Sequence, residues 1–565
     1  MNLLYEHDTL TIEIDYSLLA SHNEWNNKGE TRMDILQWEK QADLKSLLLE
    51  LVSWESLTGT EGEKQFSHKL KNKLLTLDYF KSNPEKVRLH GAGEGRFALT
   101  ALYLTEATKK TIVLISHHDT VHVEEYGDLK EFAFTPGKLT DIFKEQKNIF
   151  SKEVQEDITS GNYLFGRGVM DMKMGLALHL QLLEKAIHQN WPINLILVTV
   201  PDEEVNSAGM RTAVPALTLL QEQFKLDITL FLNSEPSFSQ YPGDEQYYIY
   251  TGSIGKIMPS ALFCGKETHA GEPLGGMTGQ FIASFLTRKM EWNNDFTETA
   301  FDETTPLPVT LSQFDLKDQY STQTTSRTAA LYNVFMMNYN AEEVMNIFRK
   351  TAEEAAAECN QVYHEVIERE KAVSIGEVNV LDYRELLTYA NKKITKEKVN
   401  QLIEAVLKRE DYYEREKSIR IVDTLMLQCQ ELAPAMVLFF APPYYPAVNS
   451  SNNAIIREKV RLIQHVAKED FAVNVQQIHY FNGISDLSYV NYDKHDNGWQ
   501  NYVDNTPVWG EAYTIPFAAM QQLQAPVLNV GPFGKDAHKV TERLHEDSAF
   551  VQTPKLLEEL IHSYF

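Results

Sequence analysis

Apolar residues along this chain fall into two textures, and the change between them lies at Tyr248–Lys256. Before it, an amphipathic pattern predicts a helix over Asp43–Trp54. Thr60-Glu61-Gly62-Glu63 reads as a capping box opening a second helix to about Leu75. Short β-rich runs follow at Arg96–Leu104 and Thr111–Ser116, the second apolar enough for a central strand. A Leu- and Ala-rich helix over Gly175–His188 leads to a strand at Asn194–Val200, and a helix near Val214–Phe224 leads to one at Ile228–Leu232. This strand–helix–strand rhythm predicts an α/β domain whose sheet is mixed but largely parallel and flanked by helices. Residues 1–33 read as an irregular polar arm carrying a strand.

Beyond the change come a strand (Lys256–Phe263), a helix (Gln280–Trp292), two strands (Leu307–Phe314, Thr328–Met337) and a long helix (Ala341–Lys371). That order predicts a smaller α+β domain. Lys, Glu and Leu dominate from Asp382 to Glu431 and predict added helices. A strand at Met436–Ala441 then runs into Pro442, Pro443 and Pro446. The helix Asn453–Lys468 and the strands Asn474–Tyr480 and Pro526–Gly531 return the chain to the first domain. The expected organisation is therefore 1–250 and 450–565 for the α/β domain, with 251–449 inserted and enlarged at about 375–433.

Composition narrows the function classes. The chain has 565 residues, 43% of them hydrophobic, and 53 Lys+Arg against 79 Asp+Glu give a net charge of −26. Such a surface repels nucleic acid and anionic membrane, which bind chiefly through Lys and Arg. Cys264, Cys359 and Cys429 are far apart and fit neither a disulfide framework nor a zinc-thiolate site. Met1–Leu10 lacks the basic start and apolar run of a signal peptide, and no apolar stretch approaches the ~18 residues of a membrane span. A cytoplasmic protein is expected.

The chemistry-bearing residues sit mostly at the ends of the predicted strands. Ser116-His117-His118-Asp119 closes one apolar strand, and ligands at the C-terminal ends of parallel strands face the crevice where such sheets bind substrate. In His-x-Asp, His117 can bind a metal while Asp119 orients a ligand from behind. Asp171 lies in Gly166-Arg167-Gly168-Val169-Met170-Asp171 immediately before an apolar helix. There it offers two oxygens to two cations, or serves simply as an N-cap. Asp202-Glu203-Glu204 follows the strand Asn194–Val200. Three successive acids repel one another unless cations neutralise them, and adjacent glutamates can divide into ligand and base. Taken alone, the run also reads as a solvated loop. Glu235 follows another apolar strand, and His538 lies in a Gly/Pro-rich loop after a β-run. Two imidazoles and three carboxylates together suit Zn²⁺, Co²⁺ or Mn²⁺ better than Mg²⁺.

These motifs, in this order, resemble the M20 metallopeptidase family, which includes aminoacylases, carboxypeptidases and deacylases. The resemblance runs from near Thr60 to about Asp547. It implies that His117 and Glu235 hold one divalent metal ion and His538 and Glu204 the other, with Asp171 bridging. Zn is the expected metal, with Co or Mn as alternatives. It further implies Glu203 as general base, Asp119 as the acid behind His117, and a cis Asp171–Met172 peptide. The first domain would be catalytic and the inserted one a lid of the dimerisation type. His269 would match the histidine that reaches a neighbouring active site across a homodimer and stabilises the oxyanion. Asp486, in Gly483-Ile484-Ser485-Asp486, matches a substrate-side segment.

The enlarged insertion resembles the RocB-type arginine-utilisation branch. The family's Asp-x-Arg strand is absent, since Val334–Tyr339 reads Val-Phe-Met-Met-Asn-Tyr, and Arg327 is the substitute for its arginine. The implied activity is hydrolysis of an amide or ureido C–N bond in a small amino-acid derivative, in arginine, ornithine or citrulline catabolism. An exopeptidase on small peptides and a catalytically silent metal-binding relative are the alternatives.

Overall fold

Three strands with nearly unbroken apolar sequence, Lys110–His117, Asn194–Val200 and Asp227–Asn233, lie side by side and parallel at the centre of the molecule. Their side chains alternate between two buried faces, which is why the sequence shows solid rather than alternating apolarity. Val113, Ile115, Ile196, Val198 and Phe231 pack on one side with Met210, Val214 and Leu217 of the helix Ala208–Phe224. Ile112, Leu114, Leu195, Leu197 and Leu230 pack on the other with Leu176, Leu180 and Leu183 of the helix Lys173–Gln189. The computed structural model describes residues 36–565 apart from 242, 245, 318, 320 and 511, so the predicted N-terminal arm lies outside the described residues.

The large sheet has eight strands. Val87–Gly91 and Phe97–Tyr103 extend it antiparallel on one side of the central three, and Val527–Asn529 continues it in parallel on the other. Tyr247–Tyr250 and Val475–Ile478 complete it. The predicted mixed, largely parallel sheet flanked by helices is what forms. The edge strand Val87–Gly91 and the helices Pro136–Glu145 and Lys152–Ser160 are elements the apolar pattern does not announce.

The second sheet is built from Gly255–Ile257, Pro259–Cys264, Val309–Asp315, Arg327–Met336 and Ala435–Phe440, all antiparallel, with Asn379–Asp382 added in parallel at one edge. The helices Gly279–Met290 and Ala341–Glu370 pack on it. The longer one opens on a capping box between Asn340 and Glu343. Three helices, Tyr383–Ile394, Lys396–Leu407 and Glu414–Gln428, occupy the stretch where extra helices are expected. Buried apolar residues run without a break from one face of the large sheet into the second sheet, and Trp38–Phe565 forms one compact unit. No described helix is long and apolar enough to cross a membrane.

The capping box expected at Thr60–Glu63 does not form, although the helix Glu61–Leu74 does. The Thr60 hydroxyl donates to the Leu57 carbonyl instead. Glu63, buried, accepts from the Gly59 and Asp202 backbone N–H groups. A longer-range demand for acceptors outweighs the local cap.

One close approach of backbones fixes the site's floor. A Cβ at Gly175 would lie 2.5 Å from the Ser234 carbonyl oxygen and 2.7 Å from the Met172 Cε. The helix that follows Asp171 is thereby pressed against the loop that carries Glu235. Gly175→Ala is expected to destabilise the protein by ~1–3 kcal/mol, as overpacking does, and to loosen metal retention. Thermal unfolding with and without added metal checks this, and a variant melting with wild type would contradict it.

Candidate metal centre

The register of the central strands brings their C-terminal ends to one level, with His117 opposite Val200 and Ile115 opposite Asn233. His117 therefore ends its strand beside the loops that carry Glu203, Glu204 and Glu235. Asp171 enters from the turn before the helix Lys173–Gln189, and its peptide bond to Met172 is cis. His538 arrives on the loop after the strand Phe533–Lys535, with φ at 65°.

Asp171 stands between two groups of donors. Its Oδ1 lies 3.2 Å from His117 Nε2, which is 3.5 Å from Glu235 Oε1. Its Oδ2 lies 3.0 Å from His538 Nε2, which is 3.1 Å from Glu204 Oε1. The sets His117–Asp171–Glu235 and Asp171–Glu204–His538 each hold three donors within 4.8 Å of one another. Glu203 Oε2 is 3.9 Å from His117 Nε2 and belongs to neither set.

Asp119 supports both sides of this arrangement. One of its carboxylate oxygens lies 3.5 Å from His117 Nδ1 and accepts from the Glu203 N–H at 3.1 Å. The other accepts from the Thr58 hydroxyl at 2.9 Å and the Glu204 N–H at 3.3 Å. Asp202 turns the same loop at φ 67°, pairing with Arg96 at 2.6 Å and accepting from the Ala208 N–H. Behind His538, buried Arg167 binds Glu542 and Glu125 and donates to the His538 carbonyl at 3.1 Å. Glu542 in turn accepts from the Gly168 N–H. Asp119 stands behind His117 as the sequence leads one to expect, whereas the pairs Arg96–Asp202 and Arg167–Glu542 have no local signature in the sequence. Arg167 and Glu542 lie in the Gly166-Arg167-Gly168 and Thr541-Glu542-Arg543 segments, 375 positions apart, so no local pattern announces their pairing.

The electrostatics are those of a site made for cations. Burial opposes the charged form of Asp171, yet hydrogen bonds from His117 and His538 hold its carboxyl well below the usual range. Burial alone would lower the His538 imidazole, but Asp171 and Glu204 raise it to about 11. His117 is likewise raised, by Glu235, Asp119 and Asp171 against its burial. Burial pushes Glu203 and Glu235 up; His117 opposes this, and neighbouring carboxylates add to it. Oε1 of Glu203, Oε1 of Glu235 and both oxygens of Asp486 are buried without a hydrogen-bond partner. Imidazole nitrogens and orphaned carboxylate oxygens converging in this way fit divalent cations of the Zn, Co or Mn type.

Because the metal-free histidines hold their protons so firmly, cation uptake must displace them. Binding is expected to release about one to two protons at neutral pH and to tighten as pH rises. Calorimetry in buffers of different ionisation enthalpy measures this, and uptake without proton release would contradict it.

A cavity of about 320 Å³ opens over the centre, lined by Asp171, Glu203, Glu204, Glu235 and His538 together with Phe238, Lys256, Tyr445, Phe481 and Ile484. Asp486 lies behind this wall, fully buried, and burial pushes it up to about 7. The structure does not bring the two remaining predicted residues to the cavity. Arg327 is bound at 2.6 and 2.8 Å by Asp423, from the helix Glu414–Gln428, which takes up the guanidinium expected to meet substrate. His269 sits on an exposed loop, where its Nδ1 accepts from the Gly271 N–H.

Comparison with known proteins shows what the chain as a whole is similar to. The model of peptidase family M20/M25/M40 matches residues 113–563. The chain is 41% identical over 536 residues to an uncharacterized protein of Bacillus subtilis strain 168, YqjN, covering 92% of this chain and 96% of that one. It is 30% identical over 550 residues to protein RocB of the same organism, covering 92% and 95%. Among solved structures, the M20 family metallo-carboxypeptidase Sso-CP2 of Sulfolobus solfataricus shares the fold. The TM-score is 0.54 at 13% identity, over 92% of this chain and 99% of that one.

Proposed function

The chain belongs to peptidase family M20/M25/M40, and from that premise we propose that it hydrolyses an amide or ureido C–N bond in a small amino-acid derivative at a two-metal centre. The observation that carries this reading is Asp171, whose two oxygens face two separate donor sets. His117 and Glu235 would hold one divalent cation and His538 and Glu204 the other, Zn being the expected metal. When bound, such a pair supplies Lewis acidity that lowers the pKa of water and polarises the substrate carbonyl.

The protein's own residues supply the proton handling. Glu203 is buried at the cavity wall with Oε1 unpartnered, and its backbone is held by Asp119. It is placed to take a proton from the attacking water and return it to the departing amine. Phe238, Phe481 and Ile484 give the cavity apolar walls that exclude bulk water around the reacting groups.

The finer assignment, to arginine, ornithine or citrulline catabolism, rests on the resemblance to the RocB-type arginine-utilisation branch, and the 30% identity to RocB supports it. We read residues 251–449 as an inserted lid of the catalytic domain, and His269, which is exposed and does not line this cavity, as a residue serving the other subunit of a homodimer. The test is a panel of N-acyl amino acids, citrulline-like ureides and dipeptides, assayed before and after metal chelation. Cleavage confined to dipeptides would move the reading to an exopeptidase. No cleavage, with no tightly held divalent ion, would leave the silent relative.

A further inference from the structure

A second cavity, of about 410 Å³, shares no lining residue with the cavity over the metal centre. It lies beside the two crossings between the sheets. The chain passes from the large sheet to the second through Gly252–Ser253 and returns through Val448–Asn449, and these crossings pair antiparallel, Asn449 opposite Gly252. Asn449 and Ser450 reach the cavity from the return crossing, and Phe301 and Asn338 reach it from the inserted segment.

Its lining is uncharged. Asp, Glu, Lys and Arg make up 23% of the chain, yet none of them lines this cavity, whereas six of its eleven lining residues carry a carboxamide. An isolated surface carboxamide is satisfied by water and implies no ligand. Here the six converge from four separate stretches of chain on one concavity.

Much of their hydrogen-bonding capacity is unused. The side chains of Asn338, Asn452 and Asn491 make no hydrogen bond among the described residues. The Asn453 oxygen accepts from the Ile455 and Ile456 N–H groups, which leaves its NH₂. Gln524 donates from its NH₂ to the Tyr492 carbonyl at 2.8 Å, which leaves its oxygen. With Asn338, Asn452 and Asn491 whole, the free set is balanced, four NH₂ groups against four oxygens.

These groups are held in place. The N–H groups of Met337, Asn338 and Tyr339 all donate to buried Glu298, and Asn491 holds a left-handed backbone at φ 54° that asparagine adopts more readily than most residues. Phe301 stacks on His479 at 4.4 Å. Its hairpin is tied across by Glu303, which accepts from the His479 and Tyr480 N–H groups at 2.6 and 2.9 Å. A balanced, uncharged set disfavours ions, which would give up hydration without meeting a counter-charge. It matches hydroxyl groups, each of which donates and accepts at once. Phe301 adds an aromatic surface suited to the C–H face of a saturated ring.

We propose that this cavity binds a neutral polyhydroxylated ring, of monosaccharide or cyclitol class, which bridges the inserted segment and the α/β domain beside their two crossings. The site goes beyond the hydrolase reading and does not depend on it.

The test titrates the intact, metal-loaded protein calorimetrically with glucose, galactose, myo-inositol, sodium phosphate and free glycine. A sugar or the cyclitol should bind saturably, which also tells the two sources apart, and the phosphate and the zwitterion should not. Asn338→Ala and Asn452→Ala should each weaken that binding about 10-fold, the usual cost of lost hydrogen bonds. Metal content and ligand-free melting should stay at wild-type values, because neither side chain has a partner to lose. Hydrogen exchange locates the ligand: it should slow at Gly252–Ser253 and Val448–Asn449 and stay unchanged in the loops of Glu203 and His538. Protection of those loops instead would put the ligand over the metal centre and overturn the assignment. So would binding undiminished by both substitutions, tighter binding of phosphate or glycine, or no saturable binding of any of the three rings.

Discussion

Glu203→Gln should keep both donor sets and their metals while cutting turnover by about 10²–10⁴-fold, the usual worth of a positioned base. The substitution is nearly isosteric, and the contact that fixes the loop, Glu203 N–H to Asp119, belongs to the backbone and survives. Neither set of three donors includes Glu203, so metal content should not change. What is lost is an oxygen able to accept a proton. Burial and the neighbouring carboxylates already raise Glu203's affinity for that proton, as a base working near neutral pH requires. KM should move little, because the change acts on a transition state in which a proton is in flight. Turnover close to wild type, with metals confirmed by elemental analysis, would remove Glu203 from this role.

The sequence made the centre legible through position rather than through any single motif. His117, Glu204 and Glu235 each follow an apolar run that can only be a buried strand, and parallel strands deliver their C-terminal ends to one edge. Asp171 was readable because glycines precede it and a solid apolar helix follows. What stayed hidden depends on contacts across long stretches of chain. Glu63 looks like a capping residue, and only the fold shows that it caps nothing and holds the Asp202 turn. Arg327 looks like a substrate arginine until Asp423, in a helix of the insertion, is found on it. Lys256 gave no signal at all, because a lone lysine beside an apolar strand has the pattern of a surface residue. Its place in the cavity follows from pairing with Tyr445, nearly two hundred positions on.

Asp171→Asn should do more damage to metal binding than any other single change, because both donor sets share this residue. An amide keeps one acceptor oxygen and turns an NH₂ towards the other set, so either His117 and Glu235 or His538 and Glu204 meet a donor where an anion stood. The loss at each set should exceed the ~10–100-fold that follows removal of a supporting hydrogen bond. Activity should fall with it, unlike in Glu203→Gln, where metal and turnover separate. The metal-free protein offers an independent readout. Asp171 has a depressed pKa, so its charge contributes stability above its ordinary value of 3.8, and that contribution is lost as pH falls. His538 has a raised pKa, so its contribution is complete below its ordinary value of 6.5 and fades as pH rises towards about 11. The two overlap most fully between those ordinary values. Metal-free Asp171→Asn should therefore melt below metal-free wild type, with the widest gap at mildly acidic pH and a narrowing gap as His538 gives up its proton. A gap that widened steadily into the alkaline range would mean that the pair of histidines is not held by Asp171.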